Sequence, residues 1–443
     1  MRKLLSLLTL LALTLAAVGA FAATVYKTVP RTTSGKPVPT IQGAKFDPHS
    51  LASFKAQNHL TYAMNQKIRA NAGKAPKDGY IPGVVNTVPY FQGWFITGSR
   101  NSIYPFATVG GSPTNGGTTT LNTQLIPLIT VLLVGGVQVA EYDPTIPNDP
   151  QGDDMTLITE SPLYDATTTY PGPPADTGQI VDTAQRVAYH TYGNWHTELN
   201  ATSSGVVWIQ FLEFNNGDWT FACCDSMGNN FPVFNINTIS NNFAFILATE
   251  APANTTAPVI VTDYLTAFDP SSGGCCILGY HTAQPNTDIN GPGVLVWGWS
   301  TYIAHSEDNP FGAFGEDTMV LSHEISELVN DPFVDTNVSP YVDGSVSFAQ
   351  ANLETGDCIE AMAAPDVIWN VPLSTGGGPY TYTLQNTCTL DWFRRNPFNG
   401  GIYSWPNEHT LGQAPHPVGC TAGPPSCWSY GEGSAGFYFG PPY

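Results

Sequence analysis

The spacing of apolar and polar positions changes texture twice along the chain. Leu4 to Val18 is almost wholly apolar, behind the basic pair Arg2-Lys3. Residues 23 to about 85 are polar and carry Lys and Pro, with one helical candidate, Leu51 to Ala72. Beyond them, short apolar runs alternate with Gly, Pro, Asn and Asp. Clusters of β-branched and aromatic residues predict strands at Gly205–Phe214, Phe243–Thr249, Pro258–Thr262 and Val294–Trp299. Leu125 to Ala140 is the longest of these later runs. Pro127, Thr130 and Gly135-Gly136 interrupt it, and it is too short to span a bilayer. It is read as two buried strands around a Gly-Gly turn.

One later segment has a firm helical period. Leu321, Ile325 and Leu328 share a face on a 100° wheel, and His323 and Glu327 lie together roughly opposite. Asp317 or Thr318 can cap its start, Glu316 and Asp317 suit its dipole, and Asp331-Pro332 stops it. A helix is therefore predicted over 316–331, with a core face and a polar face.

The N-terminal pattern has the order of a secretory leader: a basic pair, an apolar stretch, then Ala20-Phe21-Ala22 at a cleavage site. We assign 1–22 to a signal peptide, 23–85 to a lead-in, and 86–443 to one large β-rich domain with no membrane span after cleavage. A secreted or periplasmic location follows. Aromatics at 12%, charged residues at 11%, 43 Gly and 37 Pro describe a strand- and loop-rich chain that can bury a core. A net charge of −20 disfavours nucleic acid and anionic lipid as partners. Eight cysteines in an exported chain predict a disulfide-stapled fold. The vicinal pairs Cys223-Cys224 and Cys275-Cys276 are expected to reach different partners.

The chemistry-bearing motif is Ser322-His323-Glu324-Ile325-Ser326-Glu327. Residues i and i+4 of a helix project side by side, close enough for one cation to bridge them. HExxH hydrolases use that spacing for two zinc ligands and the intervening Glu as general base. Here Glu327 replaces the second His, which keeps a competent ligand and makes the site harder. The expectation is a divalent metal, zinc first and manganese or calcium next, held by His323 and Glu327, with Glu324 as catalytic base. A third ligand is expected from Glu354 or Asp357 in the cluster Glu354-Thr-Gly-Asp357-Cys358-Ile-Glu360. The competing readings are a solvated helix face and a turn held by Cys358.

Weaker candidates are His281 as a reserve ligand, the pair His190 and His196, the acidic loop Asp143–Asp154 and an EF-hand-like start at Asn286–Gly291. The loop is read as a solvated turn and the His pair as ordinary hydrogen-bonded side chains. Neither a G-x-S-x-G elbow nor a Walker A loop occurs, which disfavours a serine esterase.

Ser322-His-Glu-x-x-Glu327-x-x-x-Asp331-Pro332, then Glu354-x-x-Asp357-x-x-Glu360 and a later Leu-Asp-Trp-Phe ending at Phe393, resembles a group of largely uncharacterised bacterial proteins. A remoter similarity is to the secreted phosphate-induced (EXORDIUM-type) proteins of plants, through Gly279-Tyr280-His281, Asp331-Pro332-Phe333 and Leu353-Glu354…Cys358. The likeness covers roughly residues 255–405, and the bacterial group implies a zincin-type metalloprotein. The expected fold is α+β: a β-rich, loop-rich zincin-like core with one active-site helix. The expected function is a secreted metal-dependent hydrolase, a peptidase acting on extracellular peptide or polymer. The alternatives are a non-catalytic carbohydrate- or cell-wall-binding protein with a structural metal, and a structural or adhesive protein.

Overall fold

The computed structural model describes residues 24–31, 85–97, 102–170, 175–223, 230–286, 293–342, 349–357, 366–372, 379–393, 404–406, 416–417 and 437–439, apart from isolated positions within these spans. The leader, most of the lead-in and its helical candidate lie outside the described residues.

A mixed sheet of nine strands forms the centre. Its main strands are β1 (Val25–Thr28), β2 (Thr118–Val134), β3 (Val137–Tyr142), β4 (His196–Ser203), β5 (Val206–Glu213), β6 (Thr256–Asp263), β7 (Gly279–Asn286) and β8 (Gly293–Tyr302). The order β1-β5-β2-β6-β8 is parallel throughout, and β7 closes one edge antiparallel to β8. Parallel neighbours require crossovers. Three helices lie in them: α1 (Asp154–Glu160) and α2 (Ile180–Ala188) between β3 and β4, and α3 (Ile236–Glu250) between β5 and β6. The architecture is β-rich α+β, with a fourth helix, α4 (Met319–Asn330), after β8.

β2 is long because two partners share each flank. β4 pairs with its first half, ending at Leu125, and β5 resumes at Leu128 after the Ser204-Gly205 interruption. Pro127 falls in that interval, where this flank has no paired residue to satisfy. The predicted Gly-Gly turn is present, with φ of +60° at Gly135 and +81° at Gly136, the left-handed pair that a two-residue hairpin needs. The strand after it is not buried. Val137 is 66% exposed and Val139 54%, because β3 pairs only with the end of β2.

Two further expectations are corrected. The run Phe243–Thr249 is helical: Ile236, Ile239, Phe243, Ile246 and Leu247 are all buried, a spacing of three and four that the short window concealed. α2 was also unforeseen, although Ile180, Val181, Val187 and Ala188 fill one helical stripe. Cys275 and Cys276 bridge each other rather than separate partners. Around Cys276 the described cluster is Ala222, Phe231, Val233, Phe268, Leu278, Ile303, Phe311, Met319 and Val320, so the adjacent thiol is the partner at hand. A bridge between neighbours staples no distant segments; Cys388 is also disulfide-bonded.

α4 spans Met319–Asn330, within the predicted 316–331. Asp331 and Pro332 end it as expected, but no side chain caps its start. Asp317 instead has φ +43°, and its carboxylate accepts from Thr383 N at 2.8 Å and contacts His305 Nε2 at 2.8 Å. The helix packs on β8, β7, the strand Ser102–Val109 and the strand Pro379–Gln385, which we label β9. Leu321, Ile325, Leu328 and Val329 join Val259, Val261, Val296 and Leu384 in one core cluster. The polar face is buried too, against the competing reading of a solvated face, and the donor side chains lie on it.

Candidate metal centre

Three segments meet over the polar face of α4. The helix itself sets His323 Nε2 3.2 Å from Glu327 Oε2, one turn apart. β7 supplies His281, whose Nδ1 lies 3.3 Å from Glu324 Oε2 and 3.5 Å from Glu327 Oε2. The loop Leu353–Asp357 supplies Asp357, with Oδ1 3.5 Å from His323 Nε2, and Glu354, with Oε2 3.9 Å from His281 Nε2.

Two glycines permit this approach. Gly279 lies two residues before His281, on the same face of β7. A Cβ there would come within 2.8 Å of Trp299 O and of Val320 Cγ1, and 3.0 Å of Glu324 Cγ. Any side chain at that position would push α4 off the strand. At Gly356 a Cβ would stand 2.3 Å from His323 Nδ1. Bare of one, the loop lies against the imidazole and its Gly356 N–H donates to Glu327 Oε1 at 3.0 Å. Thr355 anchors the loop on both sides, its carbonyl accepting from Cys388 N at 2.7 Å and its hydroxyl meeting Ser326 Oγ at 3.3 Å.

All six donor residues are buried, and Glu324 has the most exposed side chain, at 10%. Burial alone would drive every one of these groups to neutrality. The outcome differs with the neighbours. For His281, burial opposes the charge, but Glu324, Glu327 and Glu354 outweigh it and raise its pKa well above the usual value. Burial also works to raise Glu327, yet His323 and His281 hold its carboxyl well below the ordinary carboxylate range. Glu324 is raised, chiefly by burial against the opposing pull of His281 and His323. Glu354 is raised well above its usual value, by burial and then by the Glu327 charge.

The predicted ligands His323, Glu327 and Asp357 and the predicted base Glu324 are thus brought close together, and Glu354 adjoins them across His281. The structure separates the two third-ligand candidates, with Asp357 beside His323 and Glu354 beyond His281. His281, the reserve candidate, lies among them, against Glu324 and Glu327. Its signal was the Gly279-x-His281 pair on a strand, which has no helical spacing to flag it. Buried His, Glu and Asp groups within metal-binding distance of one another are present, and the fit to a cation can be tested from their spacing. Charge-assisted N–H···O bonds run about 2.7–2.9 Å. Donors around a tetrahedral ion with bonds of ~2.1 Å lie about 3.4 Å apart. The contacts of 3.2, 3.3, 3.5 and 3.5 Å match the second spacing and not the first.

The weaker candidates resolve differently. His196 contacts Thr118 Oγ1 at 3.0 Å and Glu198 Oε1 at 3.3 Å, while Arg186 pairs with neighbouring Asp182 at 2.8 Å. A guanidinium already supplies the cation there. His190 and residues 287–291 of the EF-hand-like stretch lie outside the described residues. In the acidic loop, Asp143 caps Thr145 N at 2.8 Å and Asp153 caps Thr156 N at 2.8 Å, as turn carboxylates do. Asp143 and Asp149 are buried rather than solvated, and Asp154 is fully enclosed near Asp263 and Glu307. Tyr382, in the aromatic stretch after the motif, is a core residue whose hydroxyl donates to Leu157 O at 2.7 Å.

Compared with family models, curated proteins and solved structures, the chain matches none of them.

Proposed function

We propose that the protein is a secreted metal-dependent hydrolase, with peptide bonds as its first substrate class. The observation that carries this reading is the spacing of donors around Glu327, which fits a coordination shell better than a set of hydrogen bonds. His323 Nε2, Glu327 Oε2 and Asp357 Oδ1 would hold the ion, zinc by preference, with manganese or calcium admitted by the oxygen-rich set. The ion's chemistry is that of a Lewis acid that makes water a nucleophile at neutral pH.

The chain's own residues do the rest. Glu324 follows the first ligand in sequence and is the member most open to solvent, so it is the group to accept the proton from the attacking water and pass it to the leaving group. His281 fixes the Glu324 carboxylate, and Glu354 lies 3.9 Å from its far nitrogen, where its charge favours the protonated ring. A zincin-like arrangement, with a ligand helix beneath an antiparallel edge strand, agrees with this reading and with the motif resemblance.

A second reading is a non-catalytic extracellular binding protein with a structural ion. The burial of every donor favours it. One experiment separates the two: elemental analysis of the purified mature protein beside His323→Ala and Glu324→Gln, followed by a peptide-cleavage panel. Metal lost in the first variant and kept in the second, with cleavage lost in both, supports the hydrolase. Metal bound with no cleavage by the wild type would favour the binding protein. No metal after zinc loading would remove both.

A further inference from the structure

Two sets of three donors have all their ligand atoms within 4.8 Å of one another: His281, Glu324, Glu327, and His323, Glu327, Asp357. All five residues are buried. No set among the described residues joins His281 to His323 or to Asp357 within the same limit. An ion with bonds of ~2.1 Å spans donors at most about 4.2 Å apart. A single ion therefore cannot serve both sets.

Glu327 is the member they share, and through one atom: Oε2 is 3.2 Å from His323 Nε2 and 3.5 Å from His281 Nδ1. Its other oxygen is already engaged by the Gly356 N–H. An oxygen flanked by two imidazole nitrogens at such distances has the placement of a bridging ligand. Two-metal hydrolases hold their ions about 3.5–4 Å apart.

We infer that the centre is dinuclear, with a second divalent cation held by His281 Nδ1, Glu324 Oε2 and the shared Glu327 Oε2. This rests on the metal reading above and extends it. Four carboxylates, those of Glu324, Glu327, Glu354 and Asp357, balance the charge of two divalent ions. His281 turns Nδ1 toward Glu324 and Glu327, so Nδ1 is the coordinating nitrogen, while Glu354 Oε2 lies 3.9 Å from Nε2 on the other side of the ring, an ion-pair distance. Glu324 binds through Oε2 and keeps its other oxygen as proton acceptor. The substrate class then widens from peptides to any electrophile whose attacking and leaving oxygens two cations can clamp, phosphoesters included.

The test is a manganese(II) titration of the chelator-stripped, full mature protein, read by elemental analysis after dialysis and by electron paramagnetic resonance. The inference expects two equivalents and an exchange-coupled pair signal at saturation. His281→Gln should bind one equivalent and show only an isolated-ion spectrum. One equivalent in the wild type with an isolated-ion spectrum overturns the dinuclear centre and leaves the mononuclear hydrolase standing. Two equivalents retained by folded His281→Gln also overturn it. No bound manganese or zinc removes the metal reading itself. If His281→Gln fails to fold by circular dichroism, the wild-type spectrum decides alone.

Discussion

Two buried carboxylate clusters among the described residues differ in one member: Glu327 is held ionised, while Glu324 and Glu354 beside it, like Asp154, Asp263 and Glu307 elsewhere, are pushed toward the protonated form. At the candidate metal centre, Glu324, Glu327, Glu354 and Asp357 are interleaved with His281 and His323. At the carboxyl ends of β6 and β8, Asp154, Asp263 and Glu307 are gathered with no imidazole among the neighbours that shift them. Burial is the largest influence in both places. In the second cluster nothing nitrogenous opposes it strongly, so Asp154 and Asp263 are raised well above their ordinary range and Glu307 to about 7. Their backbone partners, Asp143 N on Asp263 and Ala304 N on Glu307, lower these values without reversing them. In the first, the imidazoles keep Glu327 ionised at nearly complete burial. The difference lies in the nitrogen donors at Glu327: flanked by two imidazoles it stays charged and can hold a cation, whereas a buried acid group without such a pair holds a proton.

The change with the largest expected effect on this contrast is Glu324→Gln. On the proposed hydrolase reading it keeps the ligand set of the first ion and removes the base, so cleavage should fall by roughly 10²–10⁴ in kcat with that ion retained. Steady-state kinetics beside metal analysis checks it; unchanged kcat would mean the base lies elsewhere. Next is Gly279→Ala, whose new Cβ would meet Trp299 O and Val320 Cγ1 at 2.8 Å. Overpacking at such a site costs about 1–3 kcal/mol, measurable by denaturant unfolding, and it should weaken metal affinity by moving Glu324 from His281.

Glu307→Gln sharpens the other half of the comparison. The folded-state pKa of Glu307 is raised from 4.5 to about 7, so the folded chain holds a proton that the unfolded chain releases. Its contribution is present below pH 4.5 and lost as pH rises through about 7. The variant should flatten that fall and gain roughly 1–2 kcal/mol at pH 8, after allowance for solvent screening of a half-buried group. Urea melts at several pH values read this directly; an unchanged slope would place the lost stability on Asp154 or Asp263. The smallest effect belongs to Glu198→Gln. This side chain is 46% exposed beside His196, and stability should move by no more than about 0.5 kcal/mol.

How much of this could be read from the chain depends on how local each signal is. His323, Glu324 and Glu327 were legible because helical spacing writes their geometry into six consecutive residues. Glu354 and Asp357 were legible as a second acidic motif, though only packing distinguishes the one beside His323 from the one beyond His281. His281 was weakly marked, since a strand histidine has no partner at a fixed offset. The parallel order of the sheet was not legible: β2 lies between strands from residues 206–213 and 256–263, and no local pattern encodes that choice. α3 was misread because Phe243–Thr249, taken without Ile236 and Ile239, is an apolar run with no visible period. The Asp154, Asp263 and Glu307 cluster could not be foreseen from residues so far apart in sequence.

The centre also joins stretches of chain that are far apart in sequence. His281 and Glu324 are 43 positions apart, and Glu327 and Gly356 are 29. An ion bound among them would act as a cross-link that closes two sizeable loops, and loop closure grows only slowly more costly with length. Binding free energy would then appear as resistance to local opening across β7, α4 and the Leu353–Asp357 loop together. Amide exchange in these three segments should slow as one unit when metal is added, while β1 and β5 at the far side of the sheet keep their own rate.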